Sequence, residues 1–247
     1  MTTVGVSLKM YFGHADALAW IDGVAELART HPAVQDGSVD LFVIPSFLTI
    51  PAAIDRFSGT SVTVGAQDLF WEDKGAFTGE ISGEELAELG VGVVEVGHAE
   101  RRRLFGETDD IVALKTSAAL RNGLAPVLCI GETTQGEPDA AAVEVIAQLE
   151  SALSGAPDGK VIVAYEPVWA IGAAEPAPAE HIRTVCAWLR RAVRTLPGRE
   201  NSVVIYGGSA GPGLLTELGD DVDGLFLGRF AHNLESLATV VDEAAAR

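Results

Sequence analysis

Eight short runs rich in valine and isoleucine recur along the chain, and longer amphipathic stretches separate them. This alternation is typical of βα units, in which parallel strands are buried on both faces of a sheet. The longer stretches carry apolar residues at helical spacing, as at Ile182, Val185 and Leu189. Ser82 and Glu85 have the spacing of a capping box, which predicts that a helix begins there. The predicted strands cover residues 3–8, 40–44, 61–66, 91–96, 125–130, 161–164, 202–206 and 223–227.

The number and spacing of these units favour a closed parallel (β/α)8 barrel of the TIM-barrel type. An open doubly wound sheet is the alternative, because it also alternates strands and helices. No G-x-G-x-x-G signature of a dinucleotide site follows the first predicted strand, which argues against that alternative. The 247 residues match one barrel in size, and no Gly/Ser-rich or Pro-rich linker divides them. We therefore predict one α/β domain over residues 1–247.

Charge and cysteine usage limit the partners. The formal net charge of −18 argues against nucleic acid and anionic membranes, because such a field repels polyanions. It also repels a phosphorylated metabolite, so any phosphate site must be built locally from backbone N–H groups and a few cations. Cys129 and Cys186 lie in apolar patterns and are predicted to be buried free thiols. With no signal peptide and no apolar run near the roughly 20 residues that cross a bilayer, we expect a cytoplasmic protein.

Three chemically capable side chains follow predicted strands, at the end of the barrel where active sites lie. Lys9 follows the first strand, where an ammonium can hold an anionic substrate and stabilise an oxyanion. His98 follows the fourth and precedes a predicted helix start. Glu166 ends the sixth, and Pro167 and Trp169 could shield it from water and make it a stronger base. Taken singly, each has an ordinary alternative: a solvated lysine, a structural histidine or a surface carboxylate.

Two further features indicate a phosphate site under a lid. Residues 167–178 are long and rich in alanine, with Gly172 as a pivot, and such a segment can close over a site and exclude water. Glycine-rich turns at 206–209 and 224–229 follow the seventh and eighth strands, where barrel enzymes frequently bind phosphate. Plain turns are the alternative reading of these glycines. The position of these turns after the seventh and eighth strands favours a phosphate site.

These motifs together resemble the triosephosphate isomerase family over nearly the whole chain: Lys9-Met10, then GHAERR at residues 97–102, then YEPVWAIG at 165–172. The resemblance implies that Lys9 is an electrostatic clamp, that His98 is a neutral electrophile at a helix N-terminus, and that Glu166 is the catalytic base. Glu100 matches the acid beside the histidine. No cofactor and no metal are implied.

The resemblance also implies phosphate ligands and an assembly. The phosphate ligands are Gly172, Ser209 and Gly228, and we add Gly208, Arg229 and Ser7 as substrate-binding or phosphate-binding residues. Residues 65–68 and 75–80 resemble a loop that reaches into a neighbouring subunit. This similarity predicts a homodimer formed through the loop around Thr78.

Four departures surround the intact trio. Position 7 is Ser where the family has Asn, position 99 is Ala where it has Ser, residues 172–175 read Gly-Ala-Ala-Glu where Gly-Thr-Gly-Lys is usual, and Arg229 replaces a second glycine. Catalytic groups follow the reaction and pocket walls follow the substrate, so this combination predicts the same reaction on a different substrate. A tetrulose 1-phosphate carries about two more heavy atoms on the reacting carbon than dihydroxyacetone phosphate. The residues at positions 7 and 99 together have about three fewer heavy atoms than those usual in the family, so they leave room of the right order for the longer substrate.

Residues 70–82 and 227–229 also resemble the branch of the family that interconverts tetrulose phosphates. We therefore expect a cofactor-independent isomerase that converts L-erythrulose 1-phosphate to D-erythrulose 4-phosphate through an enediolate. Triosephosphate isomerisation, from dihydroxyacetone phosphate to glyceraldehyde 3-phosphate, is the second hypothesis. A non-catalytic phosphosugar sensor ranks below it, and a barrel lyase or synthase that shares only the phosphate site ranks last.

Overall fold

Eight parallel strands form one closed barrel in the computed structural model, which describes all residues from Met1 to Arg247. Each strand pairs with the next along the chain, and the last pairs with the first. The closed (β/α)8 barrel is therefore confirmed, and the open-sheet alternative is wrong. The strands are β1 Thr2–Ser7, β2 Val39–Ile44, β3 Thr63–Ala66, β4 Val93–Val96, β5 Ala125–Ile130, β6 Ile162–Tyr165, β7 Val203–Tyr206 and β8 Gly224–Leu227.

Helices connect the strands and pack on the outside of the barrel. Ser82 caps α4 as its spacing predicts, since its hydroxyl accepts hydrogen bonds from the N–H groups of Glu84 and Glu85. No helix is both long and apolar enough to cross a membrane. The helices are α1 His14–Thr30, α2 Pro32–Gln35, α3 Ile50–Phe57, α4 Gly83–Leu89, α5 Ala99–Phe105, α6 Asp109–Arg121, α7 Pro138–Leu153, α8 Ala179–Thr195, α9 Leu214–Leu218 and α10 Leu234–Ala245.

The predicted strand bounds need small corrections. β1 ends at Ser7, so Leu8 already belongs to the loop that carries Lys9. β3 begins at residue 63 rather than 61, and β4 at 93 rather than 91, because the N–H of Val91 still bonds to the carbonyl of Leu86 in the preceding helix. β6 covers residues 162–165, so Glu166 follows that strand and does not end it.

Two apolar layers lie on opposite faces of the strands. A cluster of 59 buried residues fills the space between strands and helices, and a separate cluster of nine fills the barrel interior. Cys129 belongs to the interior cluster and Cys186 to the outer one, and both are buried and free, as predicted. Burial, assisted by the charges of Glu166 and Glu95, raises the pKa of the Cys129 thiol well above its ordinary value.

Closure of the barrel requires a close approach of β8 to β1. Gly224 is in register with Thr3, and a Cβ on Gly224 would lie 1.7 Å from the Thr3 carbonyl oxygen. We expect Gly224→Ala to lower the free energy of unfolding by about 1–3 kcal/mol, because the two strands must move apart to admit the methyl group. Urea unfolding followed by circular dichroism measures this change. Gly136→Ala is the matched control, since a Cβ there meets no atom within 4 Å. Equal stabilities of the two variants would contradict the prediction.

Candidate active site

A cavity of about 1220 Å³ opens at the carboxyl ends of the strands. The predicted residues that line it are Ser7, Lys9, Glu100, Glu166, Gly172, Ser209, Gly228 and Arg229. His98 lies directly behind this wall, with its Nε2 atom 3.7 Å from Oε2 of Glu166. Gly208 lies between Gly207 and Ser209, which both line the cavity, and its N–H group makes no hydrogen bond within the protein. The structure therefore brings the predicted residues together around one cavity.

Glu166 is held in place by its backbone and by a neighbouring glycine. Its N–H donates to the Ile130 carbonyl of β5, which fixes the chain where it leaves β6. A Cβ on Gly207 would lie 2.7 Å from Oε1 of Glu166, so only glycine leaves room for this carboxylate. The residue is 6% exposed, and its Oε2 atom is buried with no hydrogen-bond partner. A buried carboxylate oxygen without a donor is available to take a proton from a substrate.

His98 is the N-cap residue of α5, and this position sets the proton on its ring. Its Nδ1 atom accepts a hydrogen bond of 3.1 Å from the N–H of Glu100. In a neutral imidazole that accepts at Nδ1, the proton lies on Nε2. Nε2 is buried, has no partner in the protein and faces Glu166. The predicted helix start at Ala99 is confirmed, and the geometry gives His98 a donor directed at the site.

Lys9 supplies the positive charge. Its Nζ atom lies 3.0 Å from Oε1 of Glu100, and the Gln67 amide donates to its backbone carbonyl. Burial lowers the pKa of the Lys9 ammonium, but the charges of Glu166 and Glu100 outweigh that effect and raise the pKa above its ordinary value. Lys9 therefore stays charged at neutral pH. Lys9 and Ser209 are also the non-glycine residues with positive φ, 48° and 53°, a backbone strain that is typical of functional sites.

The predicted lid is docked over the cavity at several points. Trp169 donates its indole N–H to Glu132 at 2.7 Å, which anchors the first end of the lid. The Ser209 hydroxyl lies 2.9 and 3.0 Å from the carbonyls of Ala170 and Ala173, and the N–H of Ala177 donates to the hydroxyl of Tyr206 at 2.9 Å. Gly172 has φ of 74° at the turn of the segment. The lid therefore contacts the end of β7 and the turn that follows it at three points.

Backbone donors converge beside the lid. The N–H groups of Gly172, Ser209 and Gly228 make no hydrogen bond within the protein, and all three residues line the cavity. Arg229 lines it too and has no acidic partner among the ion pairs. Free N–H groups next to an unpaired guanidinium can bind a phosphate. No group of three or more His, Cys, Asp or Glu side chains could hold a metal ion.

Sequence analysis missed Glu95, a buried acid of β4. It is 3% exposed, and its Oε2 atom accepts a hydrogen bond of 2.9 Å from the Ser7 hydroxyl of β1. Burial raises the pKa of the Glu95 carboxyl above its ordinary value, against the opposing charges of His98 and Lys9. The sequence feature that identifies Glu95 is a single acid inside an apolar strand, between Val94 and Val96. Acids are rarely buried without a specific partner, so this position merited attention.

Comparisons with known proteins agree with this geometry. The family model described as triosephosphate isomerase matches residues 2–244. A protein of Pectobacterium atrosepticum named L-erythrulose-1-phosphate isomerase is 53% identical over 98% of this chain and 95% of its own. One of the same name from Rhizobium etli is 41% identical over 98% of this chain and 92% of its own. A triosephosphate isomerase of a Thermoanaerobacter species is 36% identical, with 95% and 96% of the two chains covered.

Proposed function

The chain belongs to the triosephosphate isomerase family and is an isomerase, and from this premise we propose that it converts L-erythrulose 1-phosphate to D-erythrulose 4-phosphate. The observation that carries the chemistry is the close approach of two unpartnered buried atoms, Glu166 Oε2 at the cavity wall and His98 Nε2 behind it, which lie 3.7 Å apart. One can accept a proton and the other can donate one. This is the pair that moves a carbonyl to the adjacent carbon.

The proposed reaction begins with proton removal from C3 of the substrate by Glu166. As the C3–H bond breaks, its electrons form the C2–C3 double bond, and the C2 carbonyl oxygen gains negative charge. Nε2–H of His98 and the ammonium of Lys9 stabilise that oxygen. His98 gives its Nε2 proton to the C2 oxygen and takes the proton of the C3 hydroxyl in exchange. The C2–C3 double-bond electrons then take the proton back from Glu166 at C2, and the C3–O bond becomes the new carbonyl. Glu166 and His98 are thereby returned to their starting states. We expect the lid to close over the bound substrate and keep water away from the enediolate between these two steps.

A tetrulose phosphate is favoured as substrate by the walls of the cavity. Ser7 and Ala99 both line it, so the space created by these two small residues belongs to the site. The relatives from Pectobacterium atrosepticum and Rhizobium etli, whose names state this activity, are 53% and 41% identical. Triosephosphate isomerisation remains the second candidate, because a relative with that name is 36% identical over a similar length.

Direct assays of the purified protein test this proposal. We expect kcat/KM to be higher for L-erythrulose 1-phosphate than for dihydroxyacetone phosphate, because its additional hydroxymethyl group can occupy the space beside Ser7 and Ala99. Glu166→Gln should lower kcat by about 10²–10⁴-fold through loss of the base, while Glu150→Gln on the exposed face of α7 should not change it. A larger kcat/KM for the three-carbon substrate would overturn the substrate assignment. Binding without exchange of solvent deuterium into either substrate would indicate a sensor instead.

We also propose that Arg229 binds the phosphate of the substrate together with the N–H groups of Gly172, Ser209 and Gly228. Because Arg229 is exposed, its charge is screened, and we expect Arg229→Gln to raise KM by about three- to fivefold with little change in kcat. The effect should shrink at high ionic strength. Initial rates at several salt concentrations measure this, with Arg191→Gln on α8 as the control. An unchanged KM at low salt would remove Arg229 from the phosphate site.

The assembly that we propose is a homodimer formed through the loop around Thr78. Large apolar side chains are exposed after three adjacent strands: Met10 after β1, Leu48 after β2 and Phe77 after β3, with exposures of 94%, 86% and 41%. A patch of this kind is typical of a protein interface.

Substitution of the loop tests the dimer. Thr78→Arg should convert a dimer to a monomer, because it introduces a charge directly after the exposed Phe77 in the loop proposed to form the interface. Analytical ultracentrifugation measures the mass, and Thr239→Arg on α10 is the control. A monomeric wild-type protein, or a Thr78→Arg variant that stays dimeric at low micromolar concentration, would contradict this assembly.

A further inference from the structure

Ser7 and Glu95 form a hydrogen-bonded pair inside the barrel. β1 and β4 are not neighbours in the sheet, so the 2.9 Å contact between their side chains must cross the interior. Both residues are at least 97% buried and belong to strands, whereas Gly172, Ser209 and Gly228 belong to loops at the rim. The pair therefore forms part of the floor of the cavity, below His98, whose Nε2 atom lies 3.9 Å from Oε1 of Glu95.

The pair fixes the direction of the Ser7 hydroxyl. Ser7 donates its proton to Glu95, so the lone pairs of its oxygen remain available as acceptors. Ser7 also lines the cavity, which places that acceptor within reach of a bound substrate. The end of a substrate that lies there must carry a hydrogen-bond donor.

The charges near the floor of the cavity determine which end of the substrate lies beside Ser7. Glu95 and Glu166 are both acids, and a phosphate placed beside them would be repelled. The free N–H groups and Arg229 at the rim attract it instead. A phosphosugar is therefore oriented with its phosphate at the rim and its uncharged end toward the floor.

We propose that Ser7 accepts a hydrogen bond from the terminal hydroxyl of a four-carbon phosphosugar, and that Glu95 positions Ser7 for this contact. This inference rests on the proposed function and adds the residues that distinguish a tetrulose phosphate from a triose phosphate. The three-carbon substrate lacks the extra hydroxymethyl group and makes no such bond. Ser7 is the specificity-determining contact, and Glu95 acts through it.

The test is the ratio of kcat/KM for L-erythrulose 1-phosphate to kcat/KM for dihydroxyacetone phosphate. Any effect that a substitution has on the catalytic trio is common to both substrates and divides out of this ratio. We expect Ser7→Ala and Glu95→Leu each to lower the ratio about three- to tenfold, the range of one hydrogen bond. The double variant should lower it no further, because the two residues act as one unit.

Two more variants make the experiment specific. Glu95→Gln keeps an oxygen that accepts from Ser7, and we expect it to preserve the wild-type ratio even if both rates fall. Thr116→Ala removes a buried hydroxyl that bonds within α6, away from the cavity, and it should leave the ratio unchanged. A ratio that stays constant in Ser7→Ala and Glu95→Leu would overturn the inference, as would additive losses in the double variant.

The substrate assignment is tested separately, by the activity of the wild-type protein on each substrate. If the wild-type protein turns over only dihydroxyacetone phosphate, the proposed tetrulose activity fails. The contact is then tested by the inhibition constant of L-erythrulose 1-phosphate against that reaction. Weaker inhibition by three- to tenfold in Ser7→Ala, without an equal rise in KM, supports the contact, and equal changes overturn it.

Discussion

Pairing of β8 with β1 closes the sheet, and the whole site depends on this closure. The carboxyl ends of all eight strands meet at one rim only in a closed barrel, so groups far apart in the sequence become neighbours. Lys9 follows the first strand, His98 the fourth and Glu166 the sixth. The absence of a side chain at Gly224 lets the last strand approach the first closely enough to bond. A methyl group at that position would push β8 away from Thr3 of β1.

The electrostatics of the site oppose those of the whole molecule. The chain has a net charge of −18, yet the rim of the cavity gathers Lys9, Arg229 and several unpaired N–H groups. Short-range donors determine binding here, because the field of the distant acids is screened by salt beyond about 10 Å. Below the rim the charge changes sign at Glu95, an acid within β4. A substrate with one anionic end and one neutral end matches this gradient in one orientation only.

Most of the fold, and the grouping of Lys9, His98 and Glu166 at one end of the barrel, could be predicted from the sequence. Buried parallel strands are continuous apolar runs, and a reactive side chain directly after such a run must lie at the rim. Glu95 shows the limit of this reasoning, because its partner is Ser7 across the barrel. Contacts across a barrel depend on the stagger of its strands, and periodicity in one segment carries no information about stagger.

The division between rim and floor explains how chemistry and specificity can change separately. Lys9, His98 and Glu166 all lie just beyond the ends of strands, where caps and strained backbone hold them, whereas Ser7 and Glu95 lie within strands whose ladders cannot shift. Substitutions on the floor alter the space and the hydrogen-bond partners at one end of the substrate. They leave the backbone at the rim in place wherever the new side chain fits the space inside the barrel. In the proposed mechanism the same three residues can therefore transfer a proton on substrates of different length, while the floor selects among those substrates.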